Sequence, residues 1–339
     1  MEQLYVQQLD LVHFKNHLQS SWSFNPKVNI ITGNNGNGKT NVLDALHFLS
    51  STKSYLGVPD TACISHDHSM CLIKGVVQRG ERVSTVDLGM KKGQKKTLRV
   101  DGADVLKRAD HLGFLPVVLV TPSDRDLILD VSETRRKLAD STLSQNNRAY
   151  LDALVKYNRA LTQRNTTLKY FASNRTFDAE MIAVYNDQLE EYGSTVYQGR
   201  LEFVEELTPV LQRYYQILSG GRETVGVSYK TALHHHTVPE LLAKNLERDR
   251  VLQYTSSGVH RDDFVFTLGA YPIKRVGSQG QQKSFLIALK LAQFEITQRH
   301  LNRVPLLLLD DIFDKLDEHR VAHLLELVNT EKFGQIFIT

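Results

Sequence analysis

Cys63 and Cys71 are the only cysteines in 339 residues. One bond between them could not staple a fold of this size, so a reduced, cytoplasmic setting is expected. Long hydrophobic runs are missing as well. Stretches such as Pro305–Leu309 are far shorter than the roughly 20 apolar residues that cross a bilayer, so no membrane association is expected. The opening MEQLYVQQLD has neither the charged nor the apolar region of a signal peptide. There is little net charge: the formal balance is +3, so any surface for nucleic acid has to be a local patch. Internal repeats and low-complexity tracts are absent. With 41% apolar and 23% charged residues, the chain has the composition of a globular protein able to bury a core in each of two lobes.

The first ~125 residues alternate strand-like runs and turns around one early helix. Val28–Thr32 is a short β-branched run followed by a glycine-rich turn and the helical pattern Asn41–Leu49. Further strand-like runs are Cys71–Val77, Val83–Gly89, Thr97–Val100 and Pro116–Val120, with the lysine-rich Lys91–Lys96 as a hairpin tip. Helical spacing then dominates, in Tyr150–Tyr170 and again in Met181–Leu218, where Gly220 and Gly221 end it. Charge is segregated there: residues 131–175 hold nine basic side chains against three acidic, and 178–206 hold eight acidic against Arg200 alone. A self-neutralising antiparallel hairpin and a DNA-facing surface are both compatible with that pattern. Strands return after about Val251, followed by a helix from Gln281 to about His300 and the strand Pro305–Leu309. Gln335–Thr339 reads as a strand, and further residues are expected beyond Thr339.

Gly33-Asn34-Asn35-Gly36-Asn37-Gly38-Lys39-Thr40 matches G-x-x-x-x-G-K-[ST] at every fixed position, between a strand and a helix. Glycines let the backbone wrap so that successive N–H groups face a phosphate, and the following helix adds its positive end. Lys39 would reach the β- and γ-phosphates and Thr40 would bind Mg²⁺. At the other end of the chain, Leu306–Leu309 is a buried-type strand ending in Asp310 and Asp311. Packing does not call for adjacent carboxylates, whereas Mg²⁺ at Asp310 and a polarised water at Asp311 do. Some 270 residues separate the two motifs, so an ATP site built from both must join the two ends and let the middle project. A third element, Gly277-Ser278-Gln279-Gly280-Gln281-Gln282-Lys283, precedes a helix, with Ser278 suited to cap it and Gly280 to allow close backbone approach.

Together, GNNGNGKT, SQGQQK, LLLLDD and Asp314-Lys315-Leu316-Asp317 resemble the motif set of the ABC-type ATPase family. LVHFKNH, YNRALTQRN, QLEEYG and TSSGVHRDD extend the likeness over nearly the whole chain to the RecF-like proteins of bacterial DNA replication and repair. The resemblance implies an α/β fold: an ABC-type P-loop ATPase head of mixed sheets and helices, split by an inserted helical arm. Residues 1–130 and 246–339 would form the head and 131–245 the arm. It implies ATP and Mg²⁺ as cofactors and an ATP-dependent homodimer in which Ser278, Gly280 and Gln281 meet the partner's nucleotide. Asp314 and Asp317 would form the D-loop, and Lys15 and Asn16 would lie beside the phosphates. It further implies binding to junctions of duplex and single-stranded DNA at gaps, work with RecR and RecO in loading RecA, and slow, DNA-dependent ATP hydrolysis. Asp311 stands where general ABC proteins have Glu; it is one methylene shorter, which suits slow turnover. No Q-loop or switch residue is assigned.

Arg135, Arg136, Arg148, Lys156 and Arg159 are candidate DNA contacts, as are the tip lysines, although a solvated or self-paired face would look the same. His234-His235-His236 has no second ligand cluster nearby and does not read as a metal site. A transporter ATPase subunit and an SMC-type chromosome protein are the rival readings. The first is disfavoured by the inserted helical segment, the second by its shortness.

Overall fold

The structure, a computed structural model, describes residues 3–221, 223–312, 318–328, 330 and 332–339. The chain forms two compact units. One comprises Met1–Arg125, Tyr214–Arg222 and Ser278–Thr339, the other Asp126–Arg213 and Glu223–Gly277. In chain order the strands are β1 (Leu4–Phe14), β2 (His17–Ser23), β3 (Val28–Ile30), β4 (Met70–Arg79), β5 (Arg82–Lys91), β6 (Thr97–Val100) and β7 (Ala103–Asp104). They continue with β8 (Val117–Val120), β9 (Val225–Lys230), β10 (Asp263–Leu268), β11 (Tyr271–Pro272), β12 (Leu306–Leu309) and β13 (Ile336–Ile338).

The first unit contains an antiparallel sheet ordered β2-β1-β4-β5-β6-β7 and a parallel sheet ordered β3-β13-β12-β8. The helix Lys39–Ser51 shares one core with both sheets, through Val42, Leu43, Leu46 and Leu49. Burial from several sides explains why its apolar residues do not keep to one stripe. Gly75 permits the close approach: a Cβ there would stand 2.4 Å from the Leu49 side chain. In the parallel sheet β12 runs between β13 and β8, and all four of its leucines are buried, as a strand covered on both faces requires. The N-terminal β3 pairs with β13, Ile338 opposite Ile30, so the two ends of the chain meet in one sheet. Gln335 reinforces the junction. Its buried amide accepts from the Val6 N–H at 2.7 Å and donates to Val6 O at 2.8 Å, where the β1 register shifts.

The second unit carries the helices Ser132–Asn146 and Arg148–Asn174, most of Ala179–Ser219, and an antiparallel sheet ordered β11-β10-β9. Tyr150 lies against Gly199, Tyr157 against Gly193, and Arg164 bonds Asn186. One partner number rises as the other falls, so the two long helices form the antiparallel hairpin anticipated from the sequence. A Cβ at Gly199 would come within 2.6 Å of the Tyr150 ring, so the missing side chain sets how closely the helices pack. The acidic stretch's one arginine, Arg200, pairs with Asp140 of the helix Ser132–Asn146 at 2.9 Å.

Two expectations need correction. The inserted lobe is not purely helical, because β9 pairs with β10 along their whole length. That pairing draws residues 246–277 into the second unit, although the sequence reading assigned them to the ATPase head, while Tyr214–Arg222 clusters with the first. The hairpin tip after β5 forms, but Lys96 is not part of an exposed basic cluster. Its ammonium is buried against Thr52 O and the Asp60 carboxylate.

The motif TSSGVHRDD turns out to be the framework of the second unit. Arg164, fully buried, donates to Asp249 and to the Thr255 hydroxyl, each at 2.8 Å, and Asn165 accepts from Thr255. Arg200 bonds Asp140 and Val259 O, and Tyr229 donates to the buried Asp262 at 2.5 Å. His260 lies between Tyr157 and Thr255. Its Nε2 faces the Thr255 carbonyl at 2.9 Å and must carry the proton, so Nδ1 accepts from the Tyr157 hydroxyl at 2.7 Å. Burial, helped by the charges of Arg261 and Arg136, lowers the His260 pKa to about 4 from 6.5.

Between those two values the unfolded chain binds a proton that the folded chain refuses. The stability from neutral His260 is therefore complete above about pH 6.5 and is lost as pH falls toward 4. Urea unfolding of the parent is expected to lose up to about 3 kcal/mol over that window relative to His260→Gln, which can make both bonds without titrating. Parallel pH profiles of the two proteins would refute the assignment.

Candidate active site

The loop Gly33–Thr40 follows β3 directly and leads into the helix Lys39–Ser51. Gly33, Gly36 and Gly38 have φ of 153°, 89° and 86°, in the left-handed region that side chains disfavour. Gly38 has a second constraint: a Cβ would lie 2.5 Å from the Asn16 amide and 2.7 Å from His17 Nε2. The Lys39 ammonium rests on the carbonyls of Gly33 at 2.8 Å and Asn34 at 3.3 Å, which places a positive charge inside the loop. Asn34, Asn35 and Asn37 are exposed on it.

Asn16, expected beside the phosphates, braces the loop. It donates to Gly36 O at 3.3 Å and accepts from Asn41 at 2.7 Å, while His17 Nε2 donates to Gly38 O at 3.2 Å. Lys15 is placed otherwise. Its ammonium makes an ion pair at 2.5 Å with Asp44, which is fully buried in the helix behind the loop. Asp44 also accepts from the Ser54 hydroxyl at 2.8 Å and the Tyr55 N–H at 2.9 Å. The expected pair thus divides: Asn16 touches the loop and Lys15 anchors the helix that carries it.

Thr40 and Asp310 meet. The Thr40 hydroxyl donates to Asp310 Oδ1 at 3.0 Å, across 270 residues. Strand order explains why, since β13 alone separates the loop's strand from the strand that ends in Asp310. Thr339, just past β13, donates to the same Oδ1 at 2.8 Å, and the Tyr55 hydroxyl donates to Oδ2 at 2.9 Å. Burial, reinforced by the Asp310 charge, pushes the Tyr55 ionisation far above its ordinary value, so Tyr55 is a permanent donor. The sequence pattern gave neither Tyr55 nor Thr339 a place at the site. Only the folded sheet brings them to Asp310.

The two carboxylates occupy different environments. Asp310 is 5% exposed and held by three hydroxyls, whereas Asp311 is exposed, with φ of 46° and its N–H on Thr339 Oγ1 at 3.3 Å. A cavity of about 130 Å³ lies against them, lined also by Thr121, Gln279, Gln282 and Lys283. The helix Gln279–Leu301 begins there with a reciprocal cap. Ser278 N–H donates to Gln281 Oε1 at 2.6 Å, and Gln281 N–H to Ser278 Oγ at 3.3 Å. Ser278 is exposed, and Gly280 lies in the first turn. Asp314 and Asp317 lie outside the described residues.

The candidate DNA contacts separate in the same way. Arg135 grips Asp263 with two bonds, at 2.7 and 3.1 Å, and also donates to Leu127 O and Asp130 O. Arg136 donates to Ser132 and to Asp262 O, and burial lowers its pKa. Both guanidiniums are thus engaged by contacts within the second unit. Arg148, Lys156 and Arg159 are exposed on the helix Arg148–Asn174, with Arg148 near Asp152 at 3.3 Å and Lys156 over the Tyr192 ring. His234 bonds Tyr229 O, and no metal-ligating cluster occurs among the described residues.

Residues 5–339 match the family described as the RecF/RecN/SMC N terminal domain. The chain is 45% identical over 336 residues to DNA replication and repair protein RecF of Flavobacterium johnsoniae, covering 99% of this chain and 94% of that protein. It is 45% identical over 334 residues to the RecF of Parabacteroides distasonis, with 98% and 90% covered. A solved structure of the recombination mediator protein RecF with ATP, of the RecFOR pathway, superposes with a TM-score of 0.92 at 26% identity, covering 99% of this chain and 92% of the other. An Smc head domain from Pyrococcus furiosus shares the fold, with a TM-score of 0.57 at 16% identity over 99% and 89% of the chains.

Gly38→Ala forces a side chain into left-handed backbone and against Asn16. It is expected to cost about 1–2 kcal/mol of stability and to weaken ATP binding about tenfold, since each tenfold is about 1.4 kcal/mol. Nucleotide titration beside urea unfolding checks both; parent-like affinity would show that loop geometry does not depend on this glycine.

Proposed function

The chain belongs to the RecF family of DNA replication and repair proteins, ABC-type ATPases by fold, and on that footing we propose that it is an ATP-dependent DNA-binding clamp. One observation carries the reading: the Thr40 hydroxyl reaches the Asp310 carboxylate at 3.0 Å. A phosphate loop and an acidic strand in hydrogen-bond contact are what a triphosphate–magnesium unit needs from a protein.

Each residue's task follows from its place. The left-handed glycines and the helix start turn N–H groups toward the phosphates, and Lys39 supplies a cation from inside the loop. A hydroxyl and a carboxylate side by side are hard oxygen donors that suit Mg²⁺, so Thr40 and Asp310 are its ligands in this reading. When bound, the metal neutralises charge on the β- and γ-phosphates. Exposed Asp311 orients the attacking water, and its short side chain suits slow, DNA-dependent hydrolysis that times release. Exposed Ser278, with Gly280 and Gln281 at the positive start of a 23-residue helix, faces the nucleotide of a second protomer. Arg148, Lys156 and Arg159 are the side chains retained for DNA phosphates. The preferred DNA is the single-strand–duplex junction at a gap, where the protein works with RecR and RecO in loading RecA. A transporter subunit and an SMC-type structural protein are not favoured, because the 45%-identical relatives are named for DNA replication and repair. Among the described residues no helix is long and apolar enough to cross a membrane.

Gel shifts on gapped DNA with and without ATP test the proposal directly, and ATP is expected to strengthen binding. Lys39→Met is expected to abolish ATP binding. Ser278→Arg is expected to bind ATP normally yet fail to dimerise with it, as read by light scattering. A Ser278→Arg protein that dimerises like the parent would refute the shared site.

A further inference from the structure

Asp310 is held by donors from three segments remote from it in sequence. Thr40 and Thr339 occupy Oδ1, and Tyr55 alone occupies Oδ2 among the described residues. A carboxylate can only accept, so the tyrosine hydroxyl is the donor. The ring is aimed by its own backbone. Thr52 ends the loop helix in left-handed conformation at φ 61°, and the chain doubles back so that the Tyr55 N–H reaches Asp44 at 2.9 Å. Asp44 is itself fixed by Lys15 at 2.5 Å and Ser54 at 2.8 Å. The tyrosine ring packs against the core of the first unit and stands edge-on to His47, 5.8 Å between centroids. With the backbone pinned and the ring packed, only two torsions remain to place the hydroxyl, and packing fixes both.

We propose that Tyr55 is a positioning residue of the ATPase site, holding Oδ2 of Asp310 so that Oδ1 stays presented beside Thr40 for a divalent cation. The inference rests on the reading of this site as one for magnesium and ATP. A carboxylate held on one side only can rotate about its last bond, whose torsional well is broad. Oδ1 already takes two hydroxyls. A third donor on Oδ2 removes the remaining freedom without using the oxygen that faces the loop. The buried ion pair of Lys15 and Asp44 thereby acts on the acidic strand through Tyr55, which gives a task to a lysine that does not touch the loop.

The test uses the whole chain and its Tyr55→Phe variant, which keeps the packed ring and deletes only the donor. ATP binding is titrated in EDTA and across a range of Mg²⁺ concentrations. The half-saturating Mg²⁺ concentration is expected to rise about tenfold, the usual scale for losing one hydrogen bond to a charged group, while affinity in EDTA stays at the parent value. Coincident Mg²⁺ curves overturn the proposal. So does an equal loss of affinity with and without Mg²⁺, which would mark a purely structural bond. A parent that binds ATP without regard to Mg²⁺ overturns the underlying reading, and this inference with it.

Discussion

The first unit is organised around one contact, the hydrogen bond between Thr40 and Asp310. For it to exist, a strand near the N-terminus and two near the C-terminus must lie parallel with their carboxyl ends at one edge. The order β3-β13-β12-β8 achieves this. Parallel neighbours cannot be joined by tight turns, so each connection has to leave the sheet and return. Here one excursion, between β8 and β12, contains the entire second unit. A large insertion is thus tolerated between two hydrogen-bonded neighbours, because strand pairing rather than chain proximity fixes the site.

The site was legible where backbone geometry limits residue choice. Gly33, Gly36 and Gly38 sit at positive φ, and the loop needs them regardless of context, so a regular pattern of glycines reports a shape. Leu306–Leu309 was equally readable, because only a strand covered on both faces is apolar at every position. The contacts made by Lys15, Tyr55 and Thr339 were not readable. Each depends on which segment the fold brings opposite, and a lysine two residues from a loop brace gives no local sign that it will face Asp44. The arm boundary was missed for the same reason. β9 is six residues of ordinary alternation whose partner lies beyond two short helices, and the partner decides to which unit residues 246–277 belong.

Charge in the second unit shows how a motif can look chemical and act structurally. His260, Arg261, Asp262 and Asp263 are adjacent titratable residues, a pattern that also marks active centres. In the fold Asp263 takes Arg135, Asp262 takes Tyr229, and His260 joins Tyr157 to Thr255. Arg164 with Asp249 is a fully buried ion pair, and Arg200, itself buried, pairs with the half-buried Asp140. Such pairs contribute little net stability over an apolar replacement, but losing one partner costs about 3–5 kcal/mol. Their value here is geometric. Each joins a long helix to another segment of the unit, so the helices cannot slide along their axes without stranding a charge. Arg148, Lys156 and Arg159, by contrast, lie on the exposed side of the helix Arg148–Asn174.

The two adjacent aspartates raise the same question at closer range: like charges next to each other repel, and the more so the drier the site. The fold separates them by environment. Asp310 follows the last residue of β12, is buried, and accepts from three hydroxyl donors that add no charge of their own. Asp311 turns away in left-handed backbone and stays in solvent, where screening weakens the repulsion. Left-handed geometry is open to aspartate more readily than to most residues, so the same residue type satisfies the turn and supplies the second carboxylate. One acid is immobilised by its donors and the other is left accessible to solvent. Because the donors around Asp310 come from the loop helix, the turn after it and the end of β13, that division survives only while all three remain in register.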